Sequence, residues 1–263
     1  SFWGTLLLGM FISLSQYREV VLSALGYQDR IAAKSLSMTY GTLMPHSVFE
    51  KWIGGELYSF WSYTFFMILP LLCTAPFSAS LYTDRKSGVI KNYFVRNEKK
   101  NYYFAKYAVT FLASGGVVVL PLVVNLLLTS ATLPSLLPEA STGTFPLDGS
   151  SMWAELFYTH PYRYIMRYLL LIFVFSGLMA CFSLSLGLVS DNMFTILSFP
   201  FIYSLFSYAV FRDPQVYGLV PVRFLKPSQS GTFIQFETIV MYMVILAAVS
   251  LLAIVKGVRS ETV

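Results

Sequence analysis

The sequence predicts an all-α integral membrane protein of six transmembrane helices, and three observations carry that prediction. Hydrophobic residues make up 56% of the 263 and charged residues only 12%, half of the roughly 25% that a solvated surface needs. The apolar residues come in runs of about 20, the length that crosses ~30 Å of hydrocarbon at ~1.5 Å per residue. Short segments of alternating polarity are missing, which argues against an outer-membrane barrel.

The six spans read as Ser1–Ser15, Tyr58–Leu81, Tyr103–Thr129, Tyr164–Val189, Met193–Phe211 and Phe233–Lys256. The first is short for a span and begins on Ser1, so a cytoplasmic N-terminal piece is expected to be missing. It has neither the basic region nor the small-residue cleavage site of a signal peptide. No repeat and no low-complexity tail interrupts the chain, so residues 1–263 read as a single membrane domain.

Charge orients the spans. The connection Ser80–Tyr107 holds Arg85, Lys86, Lys91, Arg96, Lys99, Lys100 and Lys106, seven of the 18 Lys and Arg residues. By the positive-inside rule this dense basic connection is cytoplasmic, and both termini follow it, with Lys256 and Arg259 on the same side. No Asn-x-Ser/Thr sequon occurs, and the expected location is a bacterial plasma membrane.

On the opposite side, "HSVFEKWIGG" (His46–Gly55) makes a short amphipathic helix with Val48, Phe49, Trp52 and Ile53 on its apolar face and Gly54–Gly55 at its end. It either lies flat at the outer interface or forms a lead-in turn to the second span. Ser130–Tyr162 has the Pro, Ser, Thr and Gly of a loop. Tyr158, Tyr162, Tyr164 and Tyr168 suit an aromatic belt at the headgroups.

Within the spans, Pro70 and Pro76 interrupt the second, Pro121 the third and Pro200 the fifth, and each proline deletes a backbone hydrogen bond and kinks its helix. The second and fifth spans are rich in aromatics. Phe65, Phe66, Phe199, Tyr203 and Phe206 either pack against lipid or line a cavity for apolar cargo. Glu237 in the sixth span either lines that pathway or reaches headgroup water. Asn125 reads as helix-to-helix glue, and Cys73 and Cys181 as buried free thiols.

Enzyme chemistry is not visible. His46 and His160 fall in separate loops, and no zinc-binding H-E-x-x-H, nucleophile elbow or phosphate-binding G-x-x-x-x-G-K-[ST] occurs. No catalytic residue, metal, cofactor or nucleic-acid partner is expected of this chain.

The basic connection carries one further pattern. Wound as a helix, Lys86–Arg96 puts Val89, Ile90, Tyr93 and Phe94 on one face and Lys91, Asn92, Val95 and Arg96 on the other. Such a helix rests on anionic lipid or plugs into a groove of a partner protein. An acid (Asp84), a glycine four residues on (Gly88), a basic–aromatic helix (Lys91) and then Tyr-x-x-x-Lys (Tyr102, Lys106) together resemble the type-2 ABC transporter permeases, the membrane subunits of bacterial type V ABC exporters. Asp84 stands where that family more often has Glu, and Arg96 where it usually has Pro.

The resemblance implies that this segment is a coupling helix docking on a separate ABC ATPase subunit through Asp84, Gly88, Val89, Ile90, Lys91, Tyr93, Phe94 and Lys106. ATP and Mg would bind that partner, and the permease would pair with a second copy of itself or a paralogue. The second and fifth spans would line the path of an amphipathic or hydrophobic substrate, such as a toxic or antimicrobial peptide, a lipid or a drug. Two other classes stay open. One is a non-transporting membrane anchor or sensor subunit. The other is an ion-coupled secondary transporter, which needs midplane ionisable groups and usually an internal repeat.

Overall fold

The structure, a computed structural model, describes residues 2–33, 46–96, 98–139, 145, 147, 149–228 and 234–259. Among them every regular element is a helix. Helix α1 (Phe2–Gln16) runs through one π-helical turn (Tyr17–Val21) into α2 (Leu22–Ala33). There follow a single turn α3 (Val48–Lys51), then α4 (Phe60–Thr74), α5 (Ser80–Lys86), α6 (Val89–Arg96) and α7 (Lys99–Thr132). Next come the short α8 (Ala154–Thr159), α9 (Pro161–Leu186) and α10 (Met193–Val210). A 3-10 segment (Pro214–Leu219) and the short α11 (Pro221–Phe224) lead to α12 (Phe236–Arg259).

Four helices, α7, α9, α10 and α12, are long and apolar enough to cross a membrane, so the chain is a membrane protein with transmembrane helices. Four of the expected spans match these helices to within about three or four residues at each end. The second differs. Its helix α4 has 15 residues, about 22 Å at ~1.5 Å per residue, and the chain turns at residues 75–79 around Pro76 before α5 begins. The first is longer than expected, because helical structure continues from Phe2 to Ala33.

Helix α9 is the axis of the bundle. Of its most apolar stretch 67% is buried, against 22% for α10 and 17% for α12, and it packs on α7, α12, α4 and α10, while α1 lies against α4 and α7. The α7–α9 crossing rests on reciprocal glycines. A Cβ on Gly115 would come within 2.8 Å of the Phe173 ring, and one on Gly177 within 2.6 Å of the Phe111 ring. Without a hydrophobic drive between helices in lipid, small residues let the backbones close, and Phe111 and Phe173 meet edge to face at 5.8 Å.

Pro200 leaves a carbonyl that a neighbouring helix satisfies, and hydroxyl groups add further bonds between helices. Pro200 has no N–H for the carbonyl of Ile196, and the Ser183 hydroxyl of α9 donates to it instead. Thr74 donates to the carbonyls of Pro70 and, across the helix pair, Leu197. Asn125 is the expected glue: fully buried, it donates to the carbonyl of Ser13 and to Gln16 Oε1, and accepts from the Ile53 N–H at 2.8 Å. Cys73 and Cys181 are free and buried.

At the end of the bundle away from the basic connection, the structure decides between the two readings of His46–Gly55 in favour of the turn, and corrects the aromatic belt. The helix of the His46–Gly55 stretch is one turn, and Val48, Phe49, Trp52 and Ile53 are all buried rather than laid on lipid. The Val48 N–H donates to the carbonyl of Pro134, and Trp52 covers Gly54 and Gly55 so closely that no Cβ would fit there. These bonds fold the segment over the bundle end. Of the four tyrosines assigned to a belt, Tyr164 and Tyr168 are buried, with Tyr164 donating to the carbonyl of Pro227 at 2.6 Å.

Candidate functional site

The acid-glycine-helix pattern folds into a clamped elbow between α4 and α7. Helix α5 ends at Ser87 and the chain reverses at Gly88, whose φ of +71° is a left-handed conformation that costs little only for glycine. Helix α6 then runs back to α7. An acid one turn before this bend reaches the first turns of α7: Asp84 Oδ2 lies 2.6 Å from Lys106 Nζ and accepts from the Tyr102 hydroxyl at 2.6 Å. Such charge-assisted bonds are roughly twice as strong as neutral ones. Next to it, Arg85 donates to the carbonyl of Gly187 at 2.8 Å, just past the end of α9.

Side chains lock the elbow from beneath. Ile90 is fully buried in a small core with Leu81, Tyr102, Tyr103, Tyr107, Cys181 and Leu184, and Phe94 packs on its margin. The Phe94 ring meets Tyr102 edge to face at 5.6 Å, and Lys99 Nζ sits over it at 5.4 Å. A Cβ on Gly257 would touch the Tyr103 ring at 2.7 Å, so the end of α12 joins the same cluster.

The expected apolar face of α6 is therefore divided. Ile90 and Phe94 turn inward, whereas Val89 (41% exposed), Tyr93 (46%) and Val95 (88%) face outward, with Lys91 also exposed. The outward side borders a groove of about 480 Å³ lined by Phe77, Tyr93, Asn101, Tyr102, Lys106 and Val109.

The residues assigned to a substrate path do not gather in one place. Phe65 and Phe66 are buried in the main core, Phe199 and Phe206 are exposed on α10, and Tyr203 lies beside Tyr242 at 6.2 Å. Glu237 occupies the first turn of α12 and is exposed.

The opposite end of the bundle holds ionic groups that sequence reading had used only as charges. Lys51 bridges Glu50 at 2.8 Å and Glu56 at 3.3 Å, and His46 meets Glu50 at 3.3 Å. Burial opposes the charge on both Glu50 and Lys51. The bonds to His46 and Lys51 outweigh it, so the Glu50 carboxyl is held below its usual range, and bonds to Glu50 and Glu56 raise Lys51. Lys226 is 6% exposed, donates to the carbonyl of Leu57 at 3.2 Å and rests 3.7 Å from the Tyr63 ring centre. Burial pushes its ammonium down to about 8, and Glu56 only partly offsets this. Among the described residues no three His, Cys, Asp or Glu side chains converge on a metal position.

Sequence reading found Asp84, Gly88, Tyr102 and Lys106, but counted Arg85 only as topology charge and overlooked Tyr103. Arg85 beside Asp84 was the available signal for a two-sided clamp. No known protein family, curated protein or solved structure matches this chain.

Proposed function

We propose that this chain is the membrane permease of an ATP-driven exporter, coupled through α6 to a separate ATPase. The single observation that carries the reading is the elbow, a short helix anchored by its inner side to α7 and α9 while Val89 and Val95 face outward and Tyr93, half-exposed, leans on the Tyr102 ring at 5.5 Å. On this reading a partner's closure pushes α6, and the Asp84–Lys106 and Arg85–Gly187 links carry the displacement into two long helices as a rigid body. α1 (to Ser15), and α4 with the turn after it (to Leu81), serve as the first two of six spans around the four long helices. The basic elbow and both ends of the chain then lie in the cytoplasm of a bacterial cell.

The partner binds ATP and Mg, and two permeases, identical or paralogous, assemble around a path for an amphipathic or hydrophobic substrate. The aromatic outer face of α10, with Phe199 and Phe206 bare, supports such a path at the contact between the two permeases. Purification in detergent should recover an ATP-binding chain at one-to-one stoichiometry, with no hydrolysis by the permease alone. Intrinsic ATP hydrolysis by the isolated chain would contradict the proposal.

A further inference from the structure

The geometry points to a phospholipid site between α9 and α12, at the end of the bundle away from the elbow, with Arg167 holding the lipid phosphate and one acyl chain lying in the groove below it. A groove of about 390 Å³ opens there, lined by Trp153, Arg167, Leu170, Val174, Phe236 and Met243. On α9 the positions Arg167, Leu170 and Val174 fall on one stripe, and Phe236 and Met243 are two turns apart on the facing stripe of α12. The stripe extends about 10 Å along the axis at ~1.5 Å per residue. That suits an extended hydrocarbon chain.

Among the described residues the charge at the head of this stripe has no counterion. Arg167 is exposed, its guanidinium stands 5.9 Å from the Trp153 ring, and among the described residues it forms no ion pair. Glu155 and Glu237 neighbour lining residues in sequence, yet neither pairs with it.

Depth makes the preferred partner of Arg167 chemically specific. The 26 residues of α9 span about 39 Å against ~30 Å of hydrocarbon. Arg167, about 9 Å from the Pro161 end of the helix, falls at or just inside the edge of the apolar layer. A side chain there snorkels toward the headgroups, where phosphate is the acceptor that a guanidinium fork matches.

The floor of the site is fixed. Trp153 is held at φ 61°, a left-handed conformation rare for a bulky residue, and its ring is set between Tyr168 at 5.4 Å and Phe236 at 5.2 Å. A free anion would gain nothing from the apolar stripe, whereas a diacyl phospholipid uses both ends. The site rests on α9 and α12 spanning a membrane and not on ATP-driven export, so it stands or falls separately from the permease reading.

Photolabelling tests it. The protein is reconstituted in phosphatidylcholine nanodiscs with trace phosphatidylglycerol carrying a mid-chain diazirine, and the labelled peptides are mapped by mass spectrometry. Label is expected on residues 167–174 and 236–243. Arg167→Gln should lower it about tenfold, the loss of one strong charge-assisted contact, while Arg167→Lys keeps most of it. Val174→Trp, which fills the chain groove and leaves the charge, should lower it as well. Retention of Arg167→Lys labelling separates a lost site from a misfolded protein. Equal labelling of wild type, Arg167→Gln and Val174→Trp overturns the proposal, and so does abolition of labelling by inorganic phosphate, which would assign Arg167 to a free anion.

Discussion

Asp84 and Lys106, 22 positions apart, meet at 2.6 Å and tie the turn before α6 to the second turn of α7. The carboxylate and ammonium are partly exposed, with side-chain exposures of 20% and 26%, so their mutual attraction is discounted toward the ~1 kcal/mol of a screened pair. The Tyr102 hydroxyl on the same carboxylate oxygen adds to it. A double-mutant cycle over Asp84→Asn and Lys106→Met, read by denaturation in detergent, should return a coupling of about 1 kcal/mol. A coupling of zero would mean that the elbow is held by Ile90 and Phe94 alone.

Gly88 tests the backbone of the same turn. A Cβ there meets nothing within 4 Å, yet the residue sits at φ +71°, so the cost of Gly88→Ala is conformational and not steric. At about 1–2 kcal/mol for a left-handed alanine, amide exchange across Val89–Arg96 should speed up about five- to thirtyfold through local opening, with little change in α9. Unchanged exchange would show that the elbow tolerates another turn geometry.

The α7–α9 crossing makes a steric prediction. Gly177→Val would drive a methyl group into the Phe111 ring, whose Cδ2 already stands 2.6 Å from a Cβ at that position. Overpacking of this kind typically costs about 1–3 kcal/mol. Phe111→Ala placed on top of Gly177→Val should recover part of the loss, measured as the melting temperature in detergent. A larger loss in the double variant would put the strain elsewhere.

Lys226 gives a pH dependence with a definite sign. Its folded value is lowered to about 8 from the ordinary 10.5, so between those limits the unfolded chain holds a proton that the folded chain has released. Stability therefore rises with pH across that window. The burial penalty is fully present below about 8. Lys226→Met removes it, so the variant's stability relative to wild type should be highest near pH 7 and fall by about 3 kcal/mol toward pH 10.5. A difference that stays flat over the range would mean that the amine keeps its proton in the folded protein.

Helices α7, α9, α10 and α12 were legible because uninterrupted apolar length is a property of the sequence alone. The break at Pro76 was not, since a proline inside an apolar run either kinks a helix or ends it, and the choice depends on what the chain packs against afterwards. The acid, glycine and basic–aromatic spacing located the elbow. It did not divide α6, because Phe94 turns inward only through Tyr102 and Tyr103, which arrive from another helix. Likewise Val48, Phe49, Trp52 and Ile53 have the pattern of an interfacial helix, and the bonds that fold them inward, from Ile53 to Asn125 and from Val48 to Pro134, reach more than 70 positions along the chain. The Arg167 groove joins α9 to α12 and has no local sequence signature.

The most direct measurement of the coupling account is affinity purification in detergent of wild type and a Val89→Asp, Tyr93→Ala, Val95→Asp variant, with each eluate assayed for ATP hydrolysis and analysed by mass spectrometry. All three changes fall on the outward side of α6 and leave Ile90, Phe94 and the Asp84–Lys106 link in place, so the chain itself should still fold. Truncating an aromatic anchor at an interface typically costs ~2 kcal/mol or more, so the triple variant should hold an ATP-binding chain at least about thirtyfold less well, while wild type retains it one to one. Equal retention of that chain by both proteins, or no ATP-hydrolysing chain with wild type, would contradict the account.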